Sequence, residues 1–125
     1  IVPTLLKAAG LPESARAGMP GVDLLGNLGP DRAVFGEIYP GDAESLGHPE
    51  REIAYRWVRK GDYKLIVPHG AKPWGDYLKT EALFRVSEDP SEKRDLRDDP
   101  DLANTASELR SILDEWWTPA PEAKP

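Results

Sequence analysis

The chain has 125 residues, with 22 acidic and 16 basic, for a formal net charge of −6. That length supports one domain, or one small domain with a piece of another, and the acidic balance excludes the basic footprint of a nucleic-acid binder. No apolar run approaches the ~18–20 residues a membrane-spanning helix needs, and the absence of Cys excludes disulfides and thiolate metal sites while leaving the compartment open.

The chain opens inside an apolar segment, Ile1-Val2-Pro3-Thr4-Leu5-Leu6, with no charged region or small-residue cleavage site of a signal peptide. It reads as a piece of a longer protein. Pro3 to Ala9 is expected as a short helix, with Pro in its first turn and Gly10 at a left-handed C-terminal cap. From Leu11-Pro12 to Pro30 the chain is punctuated by Gly and Pro, with Val22-Asp23-Leu24-Leu25 as a short apolar anchor. Residues 1–30 are therefore expected to cover a surface, not to build a core of their own.

Strand signals begin after Asp31. Ala33 to Tyr39 is β-branched and aromatic, bounded by Pro30 and Pro40-Gly41. A polar loop from Gly41 to Glu50 follows. Glu52 to Arg59 and Tyr63 to Val67 then flank Lys60-Gly61-Asp62, a hairpin signal, since Gly supplies the positive φ of a tight turn. Alternation places Ile53, Tyr55 and Trp57 on one face and Ala54, Arg56 and Val58 on the other; Tyr63, Leu65 and Val67 share a face. A second loop, Pro68 to Lys79, leads to a short strand from Ala82 to Val86.

The last element carries the strongest pattern. Asp99 is placed to cap a helix, Pro100 suits its first turn, and Asp101 complements the dipole. Leu102, Ala106, Leu109, Leu113 and Trp116 recur at helical spacing, with Ile112 and Trp117 widening the stripe, so a helix of ~17 residues is expected, stopped by Thr118-Pro119. Residues 119–125, rich in Pro, Ala, Glu and Lys, are expected to be disordered. The fold class is α+β: a small antiparallel sheet of about four strands with one long C-terminal amphipathic helix packed on it.

Few residues suggest chemistry. His48 and His69 lie in loops, without the further ligands of a metal site or the nucleophile of a triad. They are read as exposed loop residues, with contact at the rim of a substrate pocket as the functional alternative. Lys72 and Trp74, in Lys72-Pro73-Trp74-Gly75-Asp76-Tyr77, could stack on a sugar or aryl group, or Trp74 could fold back over the sheet edge. Seven carboxylates fall between Glu88 and Asp101 without calcium-loop spacing, and turn and cap chemistry accounts for Asp89-Pro90 and Asp99-Pro100. Arg56 and Arg59 are read as solvated, with pairing to anions as the alternative. Trp57, Trp116 and Trp117 are assigned to packing. No catalytic residue and no metal ligand is assigned.

Leu83-Phe84-Arg85-Val86-Ser87-Glu88-Asp89-Pro90-Ser91-Glu92-Lys93-Arg94-Asp95-Leu96 resembles the "ELYDL-x-x-DP-x-E-x-x-NL" segment of type I, formylglycine-dependent sulfatases of the alkaline phosphatase-like superfamily. Upstream, Ile1 to Pro12 is similar to "DI-x-PTLLDLAGLP", and Gly21 to Leu25 is similar to "DG-x-SLLP", departing from it at Gly21-Val22-Asp23. Arg32 to Glu37 is similar to "R-x-VF-x-E", and Val58 to Ile66 to "VR-x-G-x-YKLI". These pieces occur in family order across nearly the whole chain. The resemblance implies that residues 1–30 end a catalytic domain and that residues 31–118 are the C-terminal subdomain, a four-stranded antiparallel sheet plus helix beside the active site. The calcium, the formylglycine made from C/S-x-P-x-R and the Lys/His/Arg groups that neutralise sulfate would then lie upstream, because no C/S-x-P-x-R occurs here. The implied partners are the protein's own N-terminal catalytic domain and a sulfate ester or closely related phosphonate or phosphate ester. Without that domain, residues 1–28 are expected to exchange rapidly or to self-associate. The alternative is a free-standing interaction or carbohydrate-binding module without catalysis.

Overall fold

The computed structural model describes residues 1–26, 28–41, 45–69 and 78–118. The loop positions Lys72 and Trp74 and the tail 119–125 lie outside the described residues. The chain divides into two compact units, Ile1–Arg32 and Ala33–Pro125.

The first unit holds helix α1, Val2–Ala8, and a single 3-10 turn, Glu13–Arg16. Gly10, at φ 76, ends α1 in the left-handed conformation. Its N–H donates to the Lys7 carbonyl at 2.9 Å and that of Leu11 to the Leu6 carbonyl at 3.0 Å, the paired bonds that satisfy a helix C-terminus. Beyond this the unit is thinly packed. Pro3 is the buried residue of α1, whereas Ile1 is 77% and Leu25 75% exposed.

The second unit is an antiparallel sheet in the order β1-β2-β3-β4, formed by β1 Val34–Ile38, β2 Tyr55–Lys60, β3 Tyr63–Pro68 and β4 Ala82–Arg85, with helix α2, Ala103–Trp116, following. The expected α+β arrangement is therefore present. Lys60 pairs with Tyr63, leaving Gly61-Asp62 as a two-residue turn with Gly61 at φ 56. Asp99 accepts the Asp101 N–H at 3.0 Å and so caps the 3-10 turn Pro100–Leu102, which runs into α2.

Two apolar clusters occupy the two faces of the sheet. Val58, Leu65, Val67 and Leu83 pack with Leu109 and Leu113 of α2; Tyr55, Ile66, Ala82 and Phe84 form the other cluster, with Ala54, Trp57 and Leu78. Ala54 departs from the alternation read in the sequence. Its N–H donates to the Ile38 carbonyl at 2.9 Å while its own carbonyl accepts from His69. Since Ile38 also pairs with Tyr55, two residues of one strand oppose one of the other. That bulge sends Ala54 and Tyr55 to the same cluster.

Arg56 also departs from expectation: it is buried at 4% exposure, not solvated. Trp116 is the opposite case. At 40% exposure it is not a core residue, and it lies over Phe35 with ring centroids 4.9 Å apart and planes 11° from parallel.

Gly36 has a steric role. A Cβ there would sit 2.5 Å from two ring carbons of Trp57, so the indole lies where any side chain would be. Gly36→Ala is expected to destabilise the protein by about 1–3 kcal/mol through overpacking, measured as a lower denaturant midpoint. Leu113→Ala should cost about 2–5 kcal/mol and Trp116→Ala less, because its indole keeps solvent on one side; equal losses would place Trp116 in the core.

Candidate functional site

The segment between β1 and β2 forms a cavity of about 360 Å³ lined by Tyr39, Gly41, Ser45, Leu46, Gly47, Pro49 and Glu52. Glu52 is buried, and its carboxylate accepts the Ser45 N–H. The Tyr39 phenol is pushed up, first by burial and then by the negative charges of Glu37 and Glu52. It therefore stays protonated and able to donate. Among the described residues the lining is largely apolar, with the Glu52 carboxylate as its one charged group.

His48 stands beside this cavity, between two of its lining residues, but does not line it. Its side chain is exposed, and its Nδ1 lies 3.0 Å from Glu50 Oε1. Glu50 is held below the usual carboxylate range, first by its backbone hydrogen bond and then by His48. His69 follows β3, and its N–H extends the β2–β3 ladder by donating to Ala54 at 2.9 Å. No described contact brings His48 and His69 together. Lys72 and Trp74 lie outside the described residues.

The acidic run does structural work. Asp89 accepts the Lys93 and Arg94 N–H groups at 2.7 and 2.8 Å. Asp95 accepts those of Leu83 and Arg97 at 3.0 and 2.9 Å. Glu92 pairs with Lys64 at 2.6 Å, and Lys64 in turn lies 5.1 Å from the Trp57 ring centre. Among the described residues no group of three or more His, Asp or Glu side chains could hold a metal ion.

On the helix-covered face of the sheet, Arg56 donates to Asp114 at 3.0 Å and to the Trp117 carbonyl. Arg110 reaches Asp114 at 2.9 Å and Glu81 at 3.0 Å. Beside this network a shallow groove of about 460 Å³ is lined by Ala33, Phe35, Lys60, Ile112, Glu115 and Trp116. Its Phe35–Trp116 stack gives it an apolar wall, with a cation and a carboxylate at its borders.

Tyr39, Glu52 and this aromatic groove were not singled out in the sequence. A glutamate before a strand is ordinarily solvated, and nothing in its spacing marked it as buried. For Trp116 the helical stripe gave its side of the helix but not its exposure.

No protein-family model matches the chain. Neither does any curated protein.

For Asp114, partial burial raises the pKa, but hydrogen bonds and charge from Arg110 and Arg56 outweigh it and hold the carboxyl below 3.8. A depressed folded pKa contributes stability above the unfolded value and loses it as pH falls through the folded one. Stability should accordingly fall on acidification through and below pH ~4. Asp114→Asn is expected to lower the urea midpoint at neutral pH and to flatten its acid limb; an unchanged acid limb would show that the carboxylate contributes nothing there.

Proposed function

We propose that this chain is the C-terminal part of a sulfuric ester hydrolase of the formylglycine-dependent type, completing the enzyme's fold, with the reacting groups carried upstream. The observation that carries this reading is the Leu83–Leu96 segment, the longest stretch of family-like wording. Its residues form one structural device. Leu83 gives its N–H to Asp95 and its carbonyl to the Leu96 N–H at 2.8 Å, while Asp89 ties the intervening turn. The resemblance implies a four-stranded antiparallel sheet followed by a helix, and the second unit has that arrangement. The first unit supports it differently. Exposed Ile1, Val2, Leu5 and Leu25 suit a segment that packs on a larger domain.

On this reading the chain contributes shape and not chemistry. The loops between strands would border the substrate pocket. The alternative, a carbohydrate-binding or interaction module, is favoured by the half-exposed Trp116 over Phe35, an aromatic platform suited to a sugar or aryl ring.

The deciding experiment is to express the reading frame with its upstream region and assay aryl sulfate hydrolysis. C/S-x-P-x-R in that frame, with activity lost on changing its Cys or Ser, is the expected result; a frame without it sinks the sulfatase reading. The 125-residue chain alone should neither hydrolyse aryl sulfates nor bind calcium tightly, and a tight 1:1 calcium isotherm in calorimetry would contradict this. Amides across residues 1–28 should exchange hydrogen quickly. A truncated chain beginning at Asp31 should keep its denaturant midpoint; its unfolding would mean those residues belong to the core of the second unit.

A further inference from the structure

The two edges of the sheet are treated differently. In β2 the Ala54 carbonyl accepts from His69, so even-numbered residues from Ala54 to Lys60 bond toward β3 and odd-numbered ones toward β1. By the β1–β2 register, Tyr55, Trp57 and Arg59 meet Ile38, Gly36 and Val34. The remaining β1 residues, Phe35 and Glu37, therefore point their N–H and C=O groups outward. The same count on β4 turns Leu83 and Arg85 outward. Their groups are used: Leu83 bonds Asp95 and Leu96, and the Arg85 carbonyl accepts from Glu88 and Asp89. Within the second unit, among the described residues, the outward groups of Phe35 and Glu37 have no backbone partner.

Exposed edges are usually blunted by charged side chains, Lys above all, by Pro, by bulges or by a short length; β1 carries one charge, Glu37, and a bulge opposite its last residue, Ile38. β1 has five residues, Val34–Ile38, with neither Lys nor Pro. Val34 on this edge is 44% exposed.

We propose that β1 pairs antiparallel with β1 of a second copy of this chain, joining the two sheets about a two-fold axis at Gly36. In that register Phe35 faces Glu37 of the other copy, and each pair exchanges both hydrogen bonds, so every outward group of the strand is used. Gly36 meets Gly36 at the axis as a non-hydrogen-bonded pair, with the Trp57 indole of each copy lying over its own glycine. Val34 lies opposite Ile38 and is covered by it. Sliding the register by one pair step toward the C-terminus would set Glu37 against Glu37, two like charges directly opposed. The opposite slide would leave Glu37 to pair beyond the strand, at Ala33. The self-complementary register about Gly36 is the one that is both fully bonded and free of charge repulsion. An extended peptide from another protein would use the same groups but would not gain this symmetry.

The test uses the 125-residue chain, which has no native Cys. Sedimentation equilibrium across a concentration series is expected to show a reversible dimer. Glu37→Pro removes an outward N–H and spares the bonds to β2. It should weaken the dimer by about tenfold or more, because two of its hydrogen bonds are lost. Val34→Cys combined with Ile38→Cys should give a disulfide-linked dimer under mild oxidation. Within one strand these positions are about 13 Å apart, too far for a bond inside one chain. The control Leu46→Cys, at a position 89% exposed, should crosslink far more slowly. A chain monomeric at every concentration overturns the proposal. So does a dimer that is unaffected by Glu37→Pro, that crosslinks no faster than the control, or that is lost when residues 1–30 are removed. If Glu37→Pro does not fold, the crosslinking comparison decides.

Discussion

One buried cation, Arg56, organises the described part of the second unit. It sits in β2 beneath α2, and an ion there without partners would cost several kcal/mol. Its Nη2 donates to Asp114 and its Nη1 to the carbonyl of Trp117, at the end of the helix where the dipole favours positive charge, while its buried Nε has no partner among the described residues. The helix consequently cannot slide or rotate on the sheet without stranding that charge. Arg110 passes the constraint on, bonding Asp114 and then Glu81 just before β4. Lys60 with Glu108 ties the far end of β2 to the same helix. Apolar packing of Leu109 and Leu113 supplies the attraction, while the charges select one position for it.

Two consequences follow for the surfaces. With the helix fixed, Trp116 comes to rest over Phe35, at the border of β1, and leaves part of its ring in water. The opposite face of the sheet is also apolar and buried, with Tyr55, Ile66 and Phe84 at its centre. Trp57 extends that cluster outward over Gly36, where the missing side chain makes room for the indole. The same glycine thus admits Trp57 and lies at the proposed two-fold axis.

The acidic stretch after β4 illustrates how a charged sequence can be structural. Its carboxylates accept backbone N–H groups in turns and close an edge that would otherwise be open. Glu92 adopts φ 53, unusual for a residue with a side chain, and its carboxylate holds Lys64 beside Trp57. Within the second unit, among the described residues, one edge of the sheet is closed by the chain itself and the other keeps unused groups, so the sheet is directional. It offers one side for assembly.

The elements themselves were determined locally. Gly61 specifies a tight turn because only a residue without Cβ takes its φ cheaply, Asp99-Pro100 starts a helix by capping and preset φ, and the spacing of Leu102, Leu109 and Leu113 gives the buried stripe. Strand alternation put Arg56 and Val58 on one face and Tyr55 and Trp57 on the other for the same local reason. What those signals do not carry is the environment across the sheet. The burial of Arg56 depends on Asp114, distant in sequence and brought near only by packing, and alternation alone leaves an arginine in water. The bulge that turns Ala54 comes from a second donor to the Ile38 carbonyl, a tertiary hydrogen bond without a sequence mark. The burial of Glu52 and the half-exposure of Trp116 likewise depend on which surfaces meet. Periodicity names the side of an element on which a residue lies; only the folded chain decides what stands opposite it.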